Sequence, residues 1–309
     1  MTVPYEAVLL IAYGAPERPE DVRPYLSGIL RGRRLPPGRL EEVAHHYDAL
    51  GGRSPLTPLT RRQAAALQRA LEGRGLPLPV YVGMRNWTPY LHETLAEMRA
   101  AGVRRAAGII MAPHQSYASW EQYHENVAEA RSRIGEGAPA VEYLGPWFDR
   151  PGFIDAQADR VSVALRAVPD EGREAVRLVF TGHSIPAAMA ERGPYPAQVV
   201  ASAELVAARL PHAAWQMAYQ SRSGDPREPW LEPDVNDALR ALAARHAGAV
   251  VVVPVGFVSD HVEVLYDLDI EARKTATSLG LAFYRAGTVM DHPSFIGMLA
   301  DLVVEQAIA

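Results

Sequence analysis

Glu263, Asp267 and Glu271 stand four residues apart in the stretch GFVSDHVEVLYDLDIE, residues 256–271. On a helix that spacing sets all three carboxylates on one face. Like charges stacked in this way cost roughly a few tenths of a kcal/mol per pair when exposed, and more when buried. A metal ion or a proton relieves the repulsion; a solvated polar face is the other use of the same spacing. A further chemical residue, His183, lies in VFTGHSIP, residues 179–186, where Gly182 lets the backbone turn and Pro186 stops a return to sheet. A histidine there is either a hydrogen-bonded structural residue or a ligand. One imidazole with one carboxylate makes a borderline-soft site suited to Fe(II), Zn(II) or Co(II). Two protein ligands hold an ion loosely, which suits an ion that is passed on.

The elements that must bring these groups together follow from hydrophobic periodicity. Glu6–Tyr13 and Ala249–Val253 are continuous apolar runs of the kind found in central parallel strands. Strands are also expected at 79–84, 106–111, 140–144, 176–181, 213–219 and 281–284. Helices are expected at 21–30, 40–50, 89–101, 119–133, 153–167, 197–209, 234–246 and 294–307. Thr60 with Gln63 reads as a capping box opening a helix that runs to Leu71. The acidic stretch itself reads as a helix. Such alternation means an α/β protein with parallel sheets and helices on both faces. GPWFDRPG, residues 145–152, is the candidate linker, dividing the chain into 1–147 and 148–309, with the closing helix a candidate to pack back on the first part. Both His183 and the acidic row then sit at carboxyl ends of strands, where open α/β sheets keep their ligands.

Composition narrows the classes. The 309 residues are 48% hydrophobic and 22% charged, an ordinary globular balance. A net charge of −5 argues against nucleic acid as a partner. There is no cysteine, hence no disulfide, no thiolate metal site and no cysteine-ligated iron–sulfur cluster. No basic region precedes the first apolar run, and the apolar run 249–258 contains Pro254 and falls far short of the roughly 20 residues that cross a bilayer. The expectation is a soluble, cytoplasmic protein with no integral membrane segment. Without an extended apolar surface helix in the pattern, a monomer is expected.

VFTGHSIP, YQSRSGDPREPWLEPDV (219–235) and VPVGFVSDHVEVLYDLDIE (253–271) resemble, in that order, the signature blocks of the ferrochelatases. Ile11–Gly14, GGRSPL (51–56) and VGMRNWTP (82–89) carry the resemblance towards the N-terminus. It implies two similar Rossmann-like domains without a nucleotide, a porphyrin in the cleft between them, and Fe2+ as a substrate inserted into the macrocycle. His183 and Glu263 match the family's metal-handling pair, and Asp267 and Glu271 the acidic row behind it, for which Mg2+ is a candidate occupant.

In enzymes acting on protoporphyrin IX the first strand usually ends Asn-Leu-Gly, whereas this one ends Ala12-Tyr13-Gly14. Tyr13 is similar to the tyrosine of bacterial coproporphyrin III ferrochelatases, which faces the macrocycle opposite the histidine. The resemblance therefore implies coproporphyrin III as substrate and a haem-pathway enzyme as recipient of the product. Four propionates call for cationic and hydroxyl partners: Arg31, Arg33 and Arg34 lie in one loop, and Ser54 and Tyr123 match propionate-binding positions. Tyr47 falls beside them, but Leu30 and His46 stand where the family carries arginines, so recognition is redistributed. Arg85 and Asn86 match a stretch near the substrate. The competing readings are a protoporphyrin IX enzyme, a sirohydrochlorin or cobalt chelatase of related fold, and a haem carrier that has lost catalysis; a carrier need not keep the pair His183 and Glu263.

Overall fold

The structure is a computed structural model that describes residues 4–30, 38–173, 175–211, 214–223 and 227–305. The chain alternates strand and helix throughout. Its first part contains β1 (Ala7–Ala12), α1 (Pro19–Ile29), α2 (Arg39–Ala49), α3 (Leu56–Glu72), β2 (Val80–Met84), α4 (Leu91–Ala100) and β3 (Arg105–Ile110). A π-helical turn at Tyr117–Glu121 then leads into α5 (Gln122–Ile134), followed by β4 (Ala140–Tyr143) and α6 (Pro151–Arg166). The short α7 (Asp170–Arg173) precedes β5 (Arg177–His183), α8 (Ala187–Ala190), α9 (Tyr195–Ala207), β6 (Trp215–Gln220), α10 (Val235–Ala244) and β7 (Ala249–Val253). Last come α11 (Val262–Val264), a π-helical segment at Leu265–Ala272, α12 (Arg273–Ser278), β8 (Ala282–Arg285) and α13 (Pro293–Glu305).

Eight strands form two four-stranded sheets of identical order, β2-β1-β3-β4 and β6-β5-β7-β8, with every pairing parallel. The inner strands carry the continuous apolar runs because helices cover both their faces; β1 and β7 are buried along their whole length. In each sheet the chain steps outward after the first strand and returns to its other side for the third. That reversal leaves a crevice at the carboxyl ends of β1 and β3, and another at those of β5 and β7.

One apolar core runs through both lobes, joining Leu10 and Leu67 to Val251 and Phe180. Trp147, Phe153 and Phe295 form a ring cluster with centroids 5.4–6.2 Å apart. They lie under α13, which packs on α6 and reaches back to α3. Gln63 of α3 is fully buried and donates from Nε2 to the Met290 carbonyl at 2.9 Å. Elsewhere along the boundary, His114 bonds Ser202 at 2.9 Å, and Gln115 and Gln198 exchange two hydrogen bonds. Burial pushes the His114 imidazole down to about 3, so this contact stays neutral. No helix among the described residues is long and apolar enough to cross a membrane.

Two local expectations are corrected. Helix α3 begins at Leu56, not at Thr60: Pro58 is tolerated in a first turn, and the Ser54 hydroxyl accepts from the Leu56 N–H. Thr60 instead bonds the Leu56 carbonyl within the helix, and Gln63 serves the lobe boundary rather than a capping box. The acidic stretch does not become a helix until Val262, and most of it is π-helical. Gly256 and Asp260 are tied elsewhere, which keeps residues 256–260 out of the helix.

Truncating the ring cluster tests how the lobes are held. Phe295→Ala should destabilise the protein by about 3–5 kcal/mol in denaturant unfolding; a loss below about 1 kcal/mol would contradict the shared core.

Candidate active site

His183 is the last residue of β5, in register beside Gln220 of β6. Its Nδ1 lies against the carbonyl oxygen of Ser184. A carbonyl only accepts, so Nδ1 carries the hydrogen, and in the neutral tautomer the lone pair is at Nε2. That Nε2 stands 3.6 Å from Oε2 of Glu263. Both side chains remain open to solvent, at 32% and 50%. The backbone under His183 is fixed by Tyr195, whose hydroxyl donates to the His183 carbonyl at 2.8 Å.

Glu263 is delivered by the segment after β7. Gly256 passes so close to β5 that a Cβ there would lie 2.8 Å from the Gly182 Cα, and its N–H donates to the Thr181 carbonyl at 3.0 Å. Only a glycine lets the two backbones meet in this way. Asp260 and Asp269 are both held by Arg285 at the end of β8, at 2.8–3.2 Å, with Thr288 adding a bond to Asp260. His261 then caps α11 by accepting the Val264 N–H at Nδ1. Burial holds the His261 pKa below its ordinary value, which keeps that acceptor free of a proton.

A polar brace completes the positioning. Thr181 donates to the Gln220 side-chain oxygen at 2.9 Å, and the Gln220 Nε2 reaches the Glu263 carbonyl at 3.4 Å. Next to it Ser221 adopts a left-handed backbone, φ 63°, and donates its hydroxyl to Asp267. Burial lifts Asp267 to about 8; the Ser221 bond opposes this, and the charges of Glu263 and Glu271 add to it. Burial also raises Glu271, helped by Asp234 and Glu42. The acidic row is therefore one ionisable pair member facing His183 and, behind it, groups inclined to hold protons. Among the described residues no cluster of three or more His, Asp or Glu side chains is arranged to hold a metal ion.

The first lobe supplies the other wall. Tyr13 follows β1 and is 38% exposed. Burial pushes the phenols of Tyr25 and Tyr47 up, the Tyr25 bond to Tyr47 opposes this for Tyr47, and Tyr13 and Glu263 add smaller upward contributions to both. Tyr25, Tyr47, Leu30 and Val262 share a small apolar cluster, so α1 and α2 lean on the acidic segment. His46 stacks face to face on Tyr266 at 3.7 Å. Tyr123 is buried beneath Arg85, and Ser54 is buried with its hydroxyl turned to the start of α3. Arg31, Arg33 and Arg34 lie outside the described residues. The structure thus brings together His183, Glu263, Asp267, Glu271, Tyr13 and Tyr47, while His46 and Ser54 are engaged by protein partners. Sequence reasoning assigned no role to Gln220, Ser221 or Tyr195; the first two lie in YQSRSGDPREPWLEPDV, a motif quoted for the family resemblance. A cavity of about 330 Å³ beside Arg177, Trp215 and Arg245 opens at the opposite, amino end of the second sheet.

The sequence profile of the ferrochelatase family matches residues 5–307. This chain belongs to the ferrochelatase family. Among similar proteins, the coproporphyrin III ferrochelatase of Nocardia farcinica is 46% identical, covering 97% of this chain and 88% of its own. The ferrochelatase of Rhodopirellula baltica is 42% identical, covering 98% and 86%. SirB from Bacillus subtilis, in a structure with Fe3+, superposes with a TM-score of 0.60 at 13% identity, covering 97% of this chain and 95% of its own. That likeness concerns the two-lobed chelatase fold. The expectation of a metal-inserting enzyme with two similar Rossmann-like lobes is borne out.

The Asp267 environment gives a pH signature. Its carboxyl ionises at 3.8 ordinarily and at about 8 here, so across that window the folded chain holds a proton that the unfolded chain has lost. Stability from this group therefore falls as pH rises through the window and is level above it. Asp267→Asn should gain in Tm relative to wild type between about pH 5 and about pH 9; an unchanged difference would contradict the raised value.

Proposed function

We propose that this ferrochelatase inserts Fe2+ into coproporphyrin III to give Fe-coproporphyrin III. The observation that carries the reaction is Nε2 of His183 standing 3.6 Å from the Glu263 carboxylate, with both side chains open to solvent. Metallation needs two pyrrole protons removed and a desolvated Fe2+ delivered to one face of the ring. His183, with Nδ1–H committed to a carbonyl, accepts a pyrrole proton at Nε2. Glu263, half exposed, receives Fe2+ and holds it beside the ring face. Asp267, raised to about 8 and so holding a proton at neutral pH, relays protons by giving up its own before taking up one released near it. The aromatic and apolar first-lobe wall grips the macrocycle, and distortion gripped in this way turns a nitrogen lone pair towards the metal.

Support for coproporphyrin III comes from the relatives that carry that name and from Tyr13 at the end of β1. Four ionised propionates make substrate and product water-soluble, which favours a reaction in the cytoplasm and transfer of product to a further haem-pathway enzyme.

Anaerobic incubation with Fe2+ and either coproporphyrin III or protoporphyrin IX, followed by the Soret shift, tests this reading. Faster insertion into coproporphyrin III is expected; faster insertion into protoporphyrin IX defeats the substrate choice, and porphyrin binding without insertion makes the protein a carrier. His183→Ala should lower kcat by about 10²–10⁴-fold. A near-normal rate in that variant removes His183 from the proton-accepting role.

A further inference from the structure

We propose that Arg85 anchors a carboxylate of the porphyrin, so that Tyr13, Arg85 and Tyr123 form a substrate-selecting wall opposite the acidic one. The inference rests on the metal-insertion reading above and deepens it. Identical strand order gives the two lobes equivalent positions at their strand ends. His183 ends β5, Ser221 follows β6, and Glu263 with Asp267 follows β7. In the first lobe the corresponding places hold Tyr13 after β1, Arg85 after β2 and Tyr123 after β3. One lobe thus presents acids to the cleft, and the other presents aromatic rings around a cation.

The Arg85 guanidinium carbon lies 5.8 Å from the Tyr13 ring centroid and 5.5 Å from that of Tyr123. Stacking occupies the faces of a guanidinium and leaves its in-plane N–H groups to bind oxygen. One of these, on Nη1, donates to the Ala118 carbonyl at 3.3 Å. No carboxylate pairs with Arg85 among the described residues. Several arginines elsewhere carry a carboxylate, Arg18 with Asp21, Arg23 with Glu41, Arg61 with Glu17 and Arg62 with Asp291, whereas Arg99 and Arg160, like Arg85, bond backbone carbonyls. A half-buried guanidinium kept without a counter-ion is costly unless an anion arrives to complete it. Leu30 packs in the α1–α2 cluster and His46 is stacked on Tyr266, so neither replaces the cations missing at those positions. A bidentate carboxylate is the partner that an edge of free guanidinium N–H groups fits.

Binding of metal-free coproporphyrin III, followed by fluorescence, separates this inference from the reading beneath it. Arg85→Leu should weaken binding about ten- to hundred-fold, and Arg85→Lys by less, while the tetramethyl ester, which lacks the charges, should bind both variants as it binds wild type. Unchanged coproporphyrin binding by Arg85→Leu, or an equal loss for the ester, overturns the role of Arg85 and leaves metal insertion standing. A wild-type protein that binds no porphyrin overturns both.

Discussion

A lone pair can be offered to a proton or a metal only if the other nitrogen of the imidazole is committed, and in this chain the Ser184 carbonyl makes that commitment. By holding Nδ1–H of His183, it fixes the tautomer and turns Nε2 towards Glu263. Several features of the second lobe keep that ring where it is or bring the carboxylate to it. Tyr195 pins the His183 carbonyl, Gly256 brings the neighbouring segment against Gly182, and Gln220 spans from Thr181 to the Glu263 backbone.

Electrostatics divides the cleft into two walls. The second lobe gathers Glu263, Asp267 and Glu271, and burial inclines the deeper two acids to hold protons, which eases their mutual repulsion. Arg285 neutralises Asp260 and Asp269 underneath, where a broken pair would cost about 3–5 kcal/mol. The first lobe answers with Tyr13, Tyr123 and Arg85. Under the proposed function, a flat macrocycle bearing anionic rim groups and receiving a divalent cation at its centre lies between these walls. The shared apolar core and the Gln63 and Gln115–Gln198 contacts hold the lobes at a fixed spacing, which opposes wide rocking between them.

The strands and their parallel pairing could be read from the sequence because each has a local signal, apolar runs with glycine and proline at strand ends, whereas the pairing of His183 with Glu263 came from the resemblance of separated motifs to the ferrochelatases. The supports of the pair could not be read. Gln220 finds the Glu263 carbonyl, and Arg285 finds Asp260, across long stretches of chain that carry no local pattern. The π-helical form of the acidic row was equally hidden, since i,i+4 spacing looks the same whichever helix carries it. His46 and Ser54 differed for a related reason: a residue type that suits a propionate suits a ring stack or a helix start just as well, and tertiary packing decides.

The account stands on His183 and Glu263 acting as one unit on a shared iron and porphyrin. A double-mutant cycle on anaerobic Fe2+ insertion, with His183→Ala, Glu263→Gln and the pair, measures that directly. Strong non-additivity is predicted, the double variant losing far less than the product of the two single losses, with a coupling of about 0.5–3 kcal/mol. Independent losses that simply multiply would mean the two side chains serve separate sites, and would contradict the account.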